Sequence, residues 1–455
     1  MFLPSTSRSL LHRVATAQVE GRTPSLMAAV LREGEQVWSH AIGAEPGTQY
    51  RIGSLTKTFV AVLVMRLRDE GRLDLADRID DHLPGTGLGA VTVGQLLSHT
   101  AGLASESPGP WWERTPGDLR PTLADVLGDE PMKHPSGRRF HYSNPGFAVL
   151  GALVEKLRGR PWGEALRDEI LEPLGMTRTS LFPQDPHATG CAVHPWADVL
   201  QPERVQDTGT MAPAGQLWST VDDLCRFARL LAGGAADVLS PDTAAEMRTP
   251  HAASTAAAWD AGYGLGMQML RTSAGRILAG HTGSMPGFLC ALWISVDDAA
   301  GAVALTNTTS GPQIGALVAD LVSIVAEQEP RIPQPWKPLP EVDQKLLELT
   351  GPWYWGPTAF VLRLEADRHL ALSTVGRGGA HFARFKPGAV DGTWIGLDGY
   401  FHGETLRPGY DNSGRLTHFD VGTFIFTREA YDPAAPIPGG VDPEGWRAAS
   451  DFPAI

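Results

Sequence analysis

Ser54-Leu55-Thr56-Lys57 places a hydroxyl and an amine three residues apart at the head of an apolar run that extends from Phe59 to Leu67 and stops at Gly71. Such a run reads as a buried helix, and residues three apart on a helix are neighbours, so both groups share one face of its first turn. A serine hydroxyl is a poor nucleophile without a base. A lysine serves as that base only when burial, or the positive end of a helix dipole, disfavours its ammonium. The same N-terminus offers the backbone N–H of Ser54 to an oxyanion. For an arbitrary S-x-x-K the ordinary reading is a capping serine and a lysine lying along the surface. Here only six lysines occur (57, 133, 156, 337, 345 and 386), and none of the other five has a serine three residues before it.

At 455 residues the chain is long enough for two or three domains and a substantial core. Its net charge of −13, with no basic stretch interleaved with aromatics, argues against nucleic acid as a partner. Cys191, Cys225 and Cys290 are scattered and fit neither a disulfide framework nor a zinc site. The N-terminal Met1-Phe2-Leu3-Pro4-Ser5 lacks a signal-peptide apolar core, and no later stretch would span a bilayer, so no membrane association and a cytoplasmic location are expected.

A proline cluster at 330, 333, 335, 338 and 340 reads as a linker over 330–345, dividing a domain over 1–329 from a smaller one over 346–430. Before it the pattern is mixed. Ala28–Leu31 and Val37–Ile42 suggest a hairpin turning at Glu33-Gly34. Thr92-Val93-Gly94-Gln95 is a capping box. Asn144-Pro145 opens a helix to Leu157, with asparagine expected as its cap. Leu265–Leu270, Ile277–Gly280, Phe288–Ser295 and Ala302–Thr306 resemble successive antiparallel strands. After the linker, alternation such as Phe360, Leu362, Leu364 predicts a small antiparallel barrel or sandwich, followed by a Pro- and Gly-rich tail, 431–455, expected to lie along a surface. No internal repeat is evident.

Two further segments carry chemistry. Phe140-His141-Tyr142-Ser143-Asn144 puts a tyrosine just before a helix start, where a loop would project its phenol into a cleft. A neighbouring ammonium favours a phenolate, able to take the serine proton and return one to the leaving group. Tyr410-Asp411-Asn412 repeats the Y-x-N pattern but reads as a hairpin turn. Gly280-His281-Thr282-Gly283-Ser284 ends a predicted strand; the small residues at 280 and 283 would admit a substrate close to the backbone, and the Ser284 N–H would be a second oxyanion donor.

S-x-x-K, Y-S-N and H-T-G, in that order, resemble the serine β-lactamase and penicillin-binding-protein superfamily, specifically its class C-like hydrolases. The stretches Leu96-Leu97-Ser98-His99-Thr100-Ala101-Gly102-Leu103 and Gly280 to Phe288 are similar to that group as well. The resemblance covers about residues 8–328 and implies an α/β (α+β) fold: an antiparallel sheet flanked by helices, an all-helical lobe, and a cleft between them. It further implies Ser54 as acylated nucleophile, Lys57 and Tyr142 as proton-transfer pair, Asn144 as a substrate-amide contact, His281 as occupant of the third motif, and Thr282 and Gly283 beside the substrate. The region after the linker is similar to the lipocalin-like domain of some esterases and peptidases.

Lysine usually stands in this superfamily where His281 is found, and a histidine is mostly neutral at pH 7. Carboxylate anchoring is then weaker, which points to esterases, D-amino-acid peptidases and peptide-cyclising thioesterases. The loop Glu106–Gly117, with Trp111 and Trp112, is expected to wall the cleft, one tryptophan exposed and the other packed. Absence of G-x-S-x-G argues against an α/β-hydrolase, and absence of H-E-x-x-H, Walker and Rossmann patterns implies no metal or nucleotide cofactor. The expectation is a serine hydrolase that forms an acyl-enzyme on Ser54 and releases it from an ester or amide, with small-molecule or peptide substrates. Alternatives are a standalone penicillin-binding-protein-type thioesterase that releases or cyclises a nonribosomal peptide, and a non-catalytic binding module.

Overall fold

The computed structural model describes residues 2–114, 120–253, 260–333, 335–341, 344–376 and 380–430. Two compact units divide between Ile332 and Pro333. The tail 431–455 lies outside the described residues.

The first unit is built on an eight-stranded antiparallel sheet. Its order is Glu35–Ile42, Leu26–Arg32, Ala300–Thr306, Phe288–Ser295, Ile277–Met285, Gln268–Arg271, Ala261–Tyr263 and Ala252–Ala253. Successive side chains of a strand point to opposite faces. Met27, Ala29 and Leu31 therefore join one core cluster and Leu26, Ala28 and Val30 the other. With both faces covered, the strand reads as an unbroken apolar run rather than an alternating one. Helices Pro4–Glu20 and Ile314–Gln328 cover one face through Leu10, Val14, Leu317 and Leu321. The other face carries the helical layer that holds the site, with Thr56–Asp69, Asn144–Arg158 and Val221–Leu231 at its centre.

Thr56–Asp69 is buried continuously from Thr56 to Met65, the mark of a helix enclosed on all sides. The expected capping box at Thr92 forms, its hydroxyl accepting from Gln95 N–H and the Gln95 side chain from Thr92 N–H. The strand expected over Ile277–Gly280 runs on to Met285, which places His281 inside the strand rather than at its end. The cap of Asn144–Arg158 is also different from expectation. Ser143 is the N-cap, its Oγ accepting from Gly146 N–H at 3.1 Å. Asn144 is the first helical residue, so its amide is spared for other contacts.

The second unit closes into an eight-stranded antiparallel barrel from Gly351–Trp355 to Phe424–Thr427. A barrel of eight strands has an interior just wide enough for side chains to fill. Trp353, Phe360, Leu362, Phe385, Phe419 and Phe426 fill this one. Tyr410-Asp411-Asn412 is a hairpin turn, as expected, with Asp411 Oδ1 accepting from the N–H groups of Ser413 and Arg415.

Candidate active site

Ser54 lies in the single 3₁₀ turn Gly53–Leu55 that leads into helix Thr56–Asp69. The turn is fixed from three directions. Ile52 N–H donates to the Leu217 carbonyl at 2.8 Å, the Thr56 hydroxyl accepts from Leu217 N–H at 3.2 Å, and Cys290 Sγ donates to the Ile52 carbonyl at 2.9 Å.

Lys57 Nζ donates to Ser54 Oγ at 3.0 Å and to the Ala214 carbonyl at 2.7 Å. The side chain is fully buried, and Nζ stands 5.0 Å above the centre of the Tyr142 ring. Burial pushes the ammonium pKa down to about 7, against the opposing pull of Glu106 and Glu113. An amine available as a base near neutrality therefore touches the serine hydroxyl.

Tyr142 Oη is buried without a hydrogen-bond partner, its approach to Ser54 falling short of hydrogen-bond geometry. Burial raises its pKa. Burial thus opposes the phenolate expected from the sequence, the same dry pocket disfavouring the charged forms of both the amine and the phenol. The two neighbours are thereby pushed in opposite directions, the Lys57 amine toward a base and the Tyr142 phenol toward a retained proton.

The wall opposite is strand Ile277–Met285. A cavity of about 730 Å³ is lined by Ser54, Tyr142, Gln268, His281, Thr282, Gly283, Ser284 and the segment from Ser310 to Ala316, among others. His281 Nδ1 hydrogen-bonds the Thr282 carbonyl, so that nitrogen carries the proton, and Nε2 accepts from the Tyr263 hydroxyl at 3.0 Å. Burial, and then the charge of Lys57, push its pKa down to about 3. His281 is neutral and both its nitrogens are engaged within the protein. The small residues beside it answer to packing. A Cβ on Gly280 would lie 1.9 Å from the Leu292 carbonyl oxygen, and one on Gly283 would lie 1.9 Å from that of Ile52. Gly283 lines the cavity, but its smallness is required by the Ser54 turn that presses on it rather than by a substrate.

Asn144 is nine-tenths buried; its Nδ2 donates to Glu106 Oε1 at 2.7 Å while its Oδ1 has no partner. Glu106 also accepts from Trp112 Nε1 at 2.8 Å, and Trp111 Nε1 donates to Glu113 at 3.0 Å. Neither tryptophan is among the residues lining the cavity at Ser54. Trp112 belongs to the core behind the turn, and Trp111, 60% exposed, lies against the Arg114 guanidinium. Adjacent positions send one ring inward and one outward, and residues 115–117 of the expected loop lie outside the described residues.

Sequence reasoning missed Gln268, Tyr263 and the 310–313 segment. Gln268 Oε1 accepts from both the backbone N–H and the hydroxyl of Thr282, and no local pattern marks it. Glu106 fell inside the flagged loop without a role. Among the described residues no group of three or more His, Cys, Asp or Glu is placed to hold a metal ion, and no helix is long and apolar enough to cross a membrane.

The model of the family described as Beta-lactamase matches residues 11–327, and that of a Domain of unknown function (DUF7586) matches residues 342–428. Penicillin-binding protein 4 of Amycolatopsis lactamdurans is 31% identical over 247 residues, half of this chain and 63% of that protein. The chain spans less than two thirds of the length of the curated relatives it matches first. The crystal structure of a D-stereospecific amidohydrolase from Streptomyces sp. is 27% identical with a TM-score of 0.59, covering 70% of this chain and 98% of its own. A penicillin-binding protein homologue from Pyrococcus abyssi, 21% identical, shares the fold over 92% of this chain and 99% of its own with a TM-score of 0.61.

Proposed function

The chain belongs to the beta-lactamase family, and on that premise we propose that it is a serine hydrolase forming an acyl-enzyme on Ser54 from an ester or amide. The observation that carries this reading is the 3.0 Å contact between Ser54 Oγ and a buried Lys57 amine whose pKa is brought down to about 7. In the proposed cycle Ser54 Oγ attacks the acyl carbon and its proton passes to Lys57 Nζ. The carbonyl electron pair moves onto an oxyanion facing the N–H groups of Ser54 and Ser284. As the tetrahedral species collapses, the leaving group takes the Tyr142 proton, and the Lys57 ammonium restores it. Water then repeats the sequence on the ester.

Electrostatics narrow the acyl group. A neutral His281 supplies no cation for a substrate carboxylate, and the acidic side chains whose fields reach Lys57 are Glu106 and Glu113. Neutral or amine-bearing acyl groups suit this site better than carboxylates. The similarity to a D-stereospecific amidohydrolase favours an amide or peptide with a D-residue on the acyl side. Asn144 and Thr282 are the expected contacts to it.

Intact mass spectrometry of wild type and Ser54→Ala tests the reading, after exposure to a fluorophosphonate, a penicillin and a D-aminoacyl thioester. A wild-type adduct absent from the variant supports it, with the thioester faster than the penicillin. An added amine acylated in preference to water would move the function to a peptide-releasing thioesterase or cyclase. No adduct with any reagent would leave a non-catalytic binding module.

A further inference from the structure

Tyr142 has no hydrogen bond at its oxygen, so its ring and its backbone must hold it. Both N–H groups that flank it end on one residue. His141 N–H donates to the carbonyl of His99 at 2.8 Å, and Ser143 N–H donates to the ring Nδ1 of His99 at 3.1 Å. The His99 ring also lies over the Tyr142 ring, centres 4.2 Å apart and planes tilted by 33°, whereas Tyr263 and His281 stand 6.3 Å away. We propose that His99 is the positioning residue for Tyr142, clamping the chain on both sides of it and backing its ring so that the phenol faces Ser54 and Lys57. The inference rests on the proton-transfer role proposed above for Tyr142.

Two features show that this position is not ordinary core filling. Since Nδ1 accepts a backbone N–H, the ring proton is on Nε2, which is buried without a partner. An unsatisfied buried donor costs about 1–3 kcal/mol, which an apolar ring of similar size would avoid. His99 also has φ of 55°, a left-handed conformation in which histidine and asparagine are enriched among non-glycine residues. The left-handed φ favours histidine over a phenyl-bearing residue, and an imidazole kept there despite its unsatisfied Nε2–H supplies what a phenyl ring could not, the acceptor for Ser143 N–H.

Three substitutions separate the parts. His99→Phe keeps a ring and loses the acceptor. His99→Asn tolerates the left-handed φ and sets an amide oxygen where Nδ1 stands. His99→Gln carries its oxygen further out, towards the Nε2 position, and replaces the phenylalanine variant if that one does not fold. The readouts are the limiting rate and half-saturation of Ser54 acylation by a D-aminoacyl amide, whose amine leaving group must take a proton, with fluorophosphonate labelling reporting on Ser54 alone, thermal melting, and crystal structures of the variants. A misplacement of about 1 Å at a reacting group costs on the order of 10²-fold, so His99→Phe should lose about that factor in limiting rate with half-saturation little changed, while His99→Asn recovers most of it. In the His99→Phe crystal structure Tyr142 Oη should be displaced from Ser54. A wild-type rate in His99→Phe with Tyr142 in place would overturn the clamp, as would His99→Asn being as slow as His99→Phe. An unlabelled wild type would instead overturn the reading of Ser54, and the position of Tyr142 in the variant crystals would then decide the clamp alone.

Discussion

Gly53 and Ser284 meet backbone to backbone: a Cβ on Gly53 would lie 2.6 Å from both the nitrogen and the carbonyl oxygen of Ser284. This contact sets the nucleophile turn against strand Ile277–Met285, and with it the spacing between the two N–H groups proposed to hold the oxyanion.

Gly53→Ala should therefore separate those donors. Residue 53 has φ of 52°, so alanine is strained there besides colliding with Ser284. Losing one oxyanion donor costs about 10²–10³ in rate, and a comparable fall is expected in fluorophosphonate acylation of Ser54. Unchanged acylation in a folded Gly53→Ala protein would mean that the Ser284 N–H takes no part.

Lys57→Met exchanges a buried amine for a side chain of similar length that needs no proton. The Lys57 pKa is about 7 folded and near 10.5 unfolded, so the unfolded chain binds the extra proton between those values. The cost of burying Lys57 is complete below pH 7, shrinks as pH rises from 7 to 10.5, and is absent above. Urea unfolding should find Lys57→Met the more stable protein at pH 6, by on the order of a few kcal/mol, with the gap closing toward pH 10. Acylation should be lost across the whole range, since the base is gone. In the wild type, acylation should rise with pH through about 7 and then level off.

Tyr142→Phe removes a buried hydroxyl that has no hydrogen-bond partner. Removing an unsatisfied group relieves about 1 kcal/mol, so the variant should melt at or above the wild-type temperature. Its acylation rate should nevertheless fall by about 10²–10⁴, the span of a lost general acid. An active variant would make Tyr142 structural.

How far the sequence carried this reading depended on whether a signal was local. The helix from Thr56, the Thr92 capping box and the strand pairing of Leu26–Arg32 with Glu35–Ile42 follow from patterns within a few residues of each other. The apposition of Lys57 and Ser54 was legible for the same reason, one helical turn fixing it. What failed was long-range. Asn144 reads as a cap because it precedes Pro145, but the hydroxyl one residue earlier, held by the Ala104 carbonyl, accepts from the helix N–H instead. Gly283 reads as room for substrate, yet the atom it accommodates is the carbonyl oxygen of Ile52, far away in sequence. The tyrosine was expected to ionise beside an ammonium. Burial of the whole cluster opposes both charged forms, lowering the Lys57 pKa as the sequence leads one to expect and raising that of Tyr142 against that expectation.

Glu106→Gln tests the electrostatic balance at Lys57 without touching the reacting atoms. Glu106 is the first of the two carboxylates that oppose burial and hold the Lys57 pKa up. Glutamine keeps an oxygen to accept from Asn144 Nδ2 or Trp112 Nε1, so the loop contacts survive in part. With the negative charge gone the Lys57 ammonium is less favoured, its pKa falls further, and the amine is free at lower pH. The rising limb of the acylation profile should then shift to lower pH while the plateau rate changes little. A limb that stays in place would mean that Glu106 is screened from Lys57 by solvent, and a limb displaced to higher pH would contradict the assignment of Lys57 as the base that titrates.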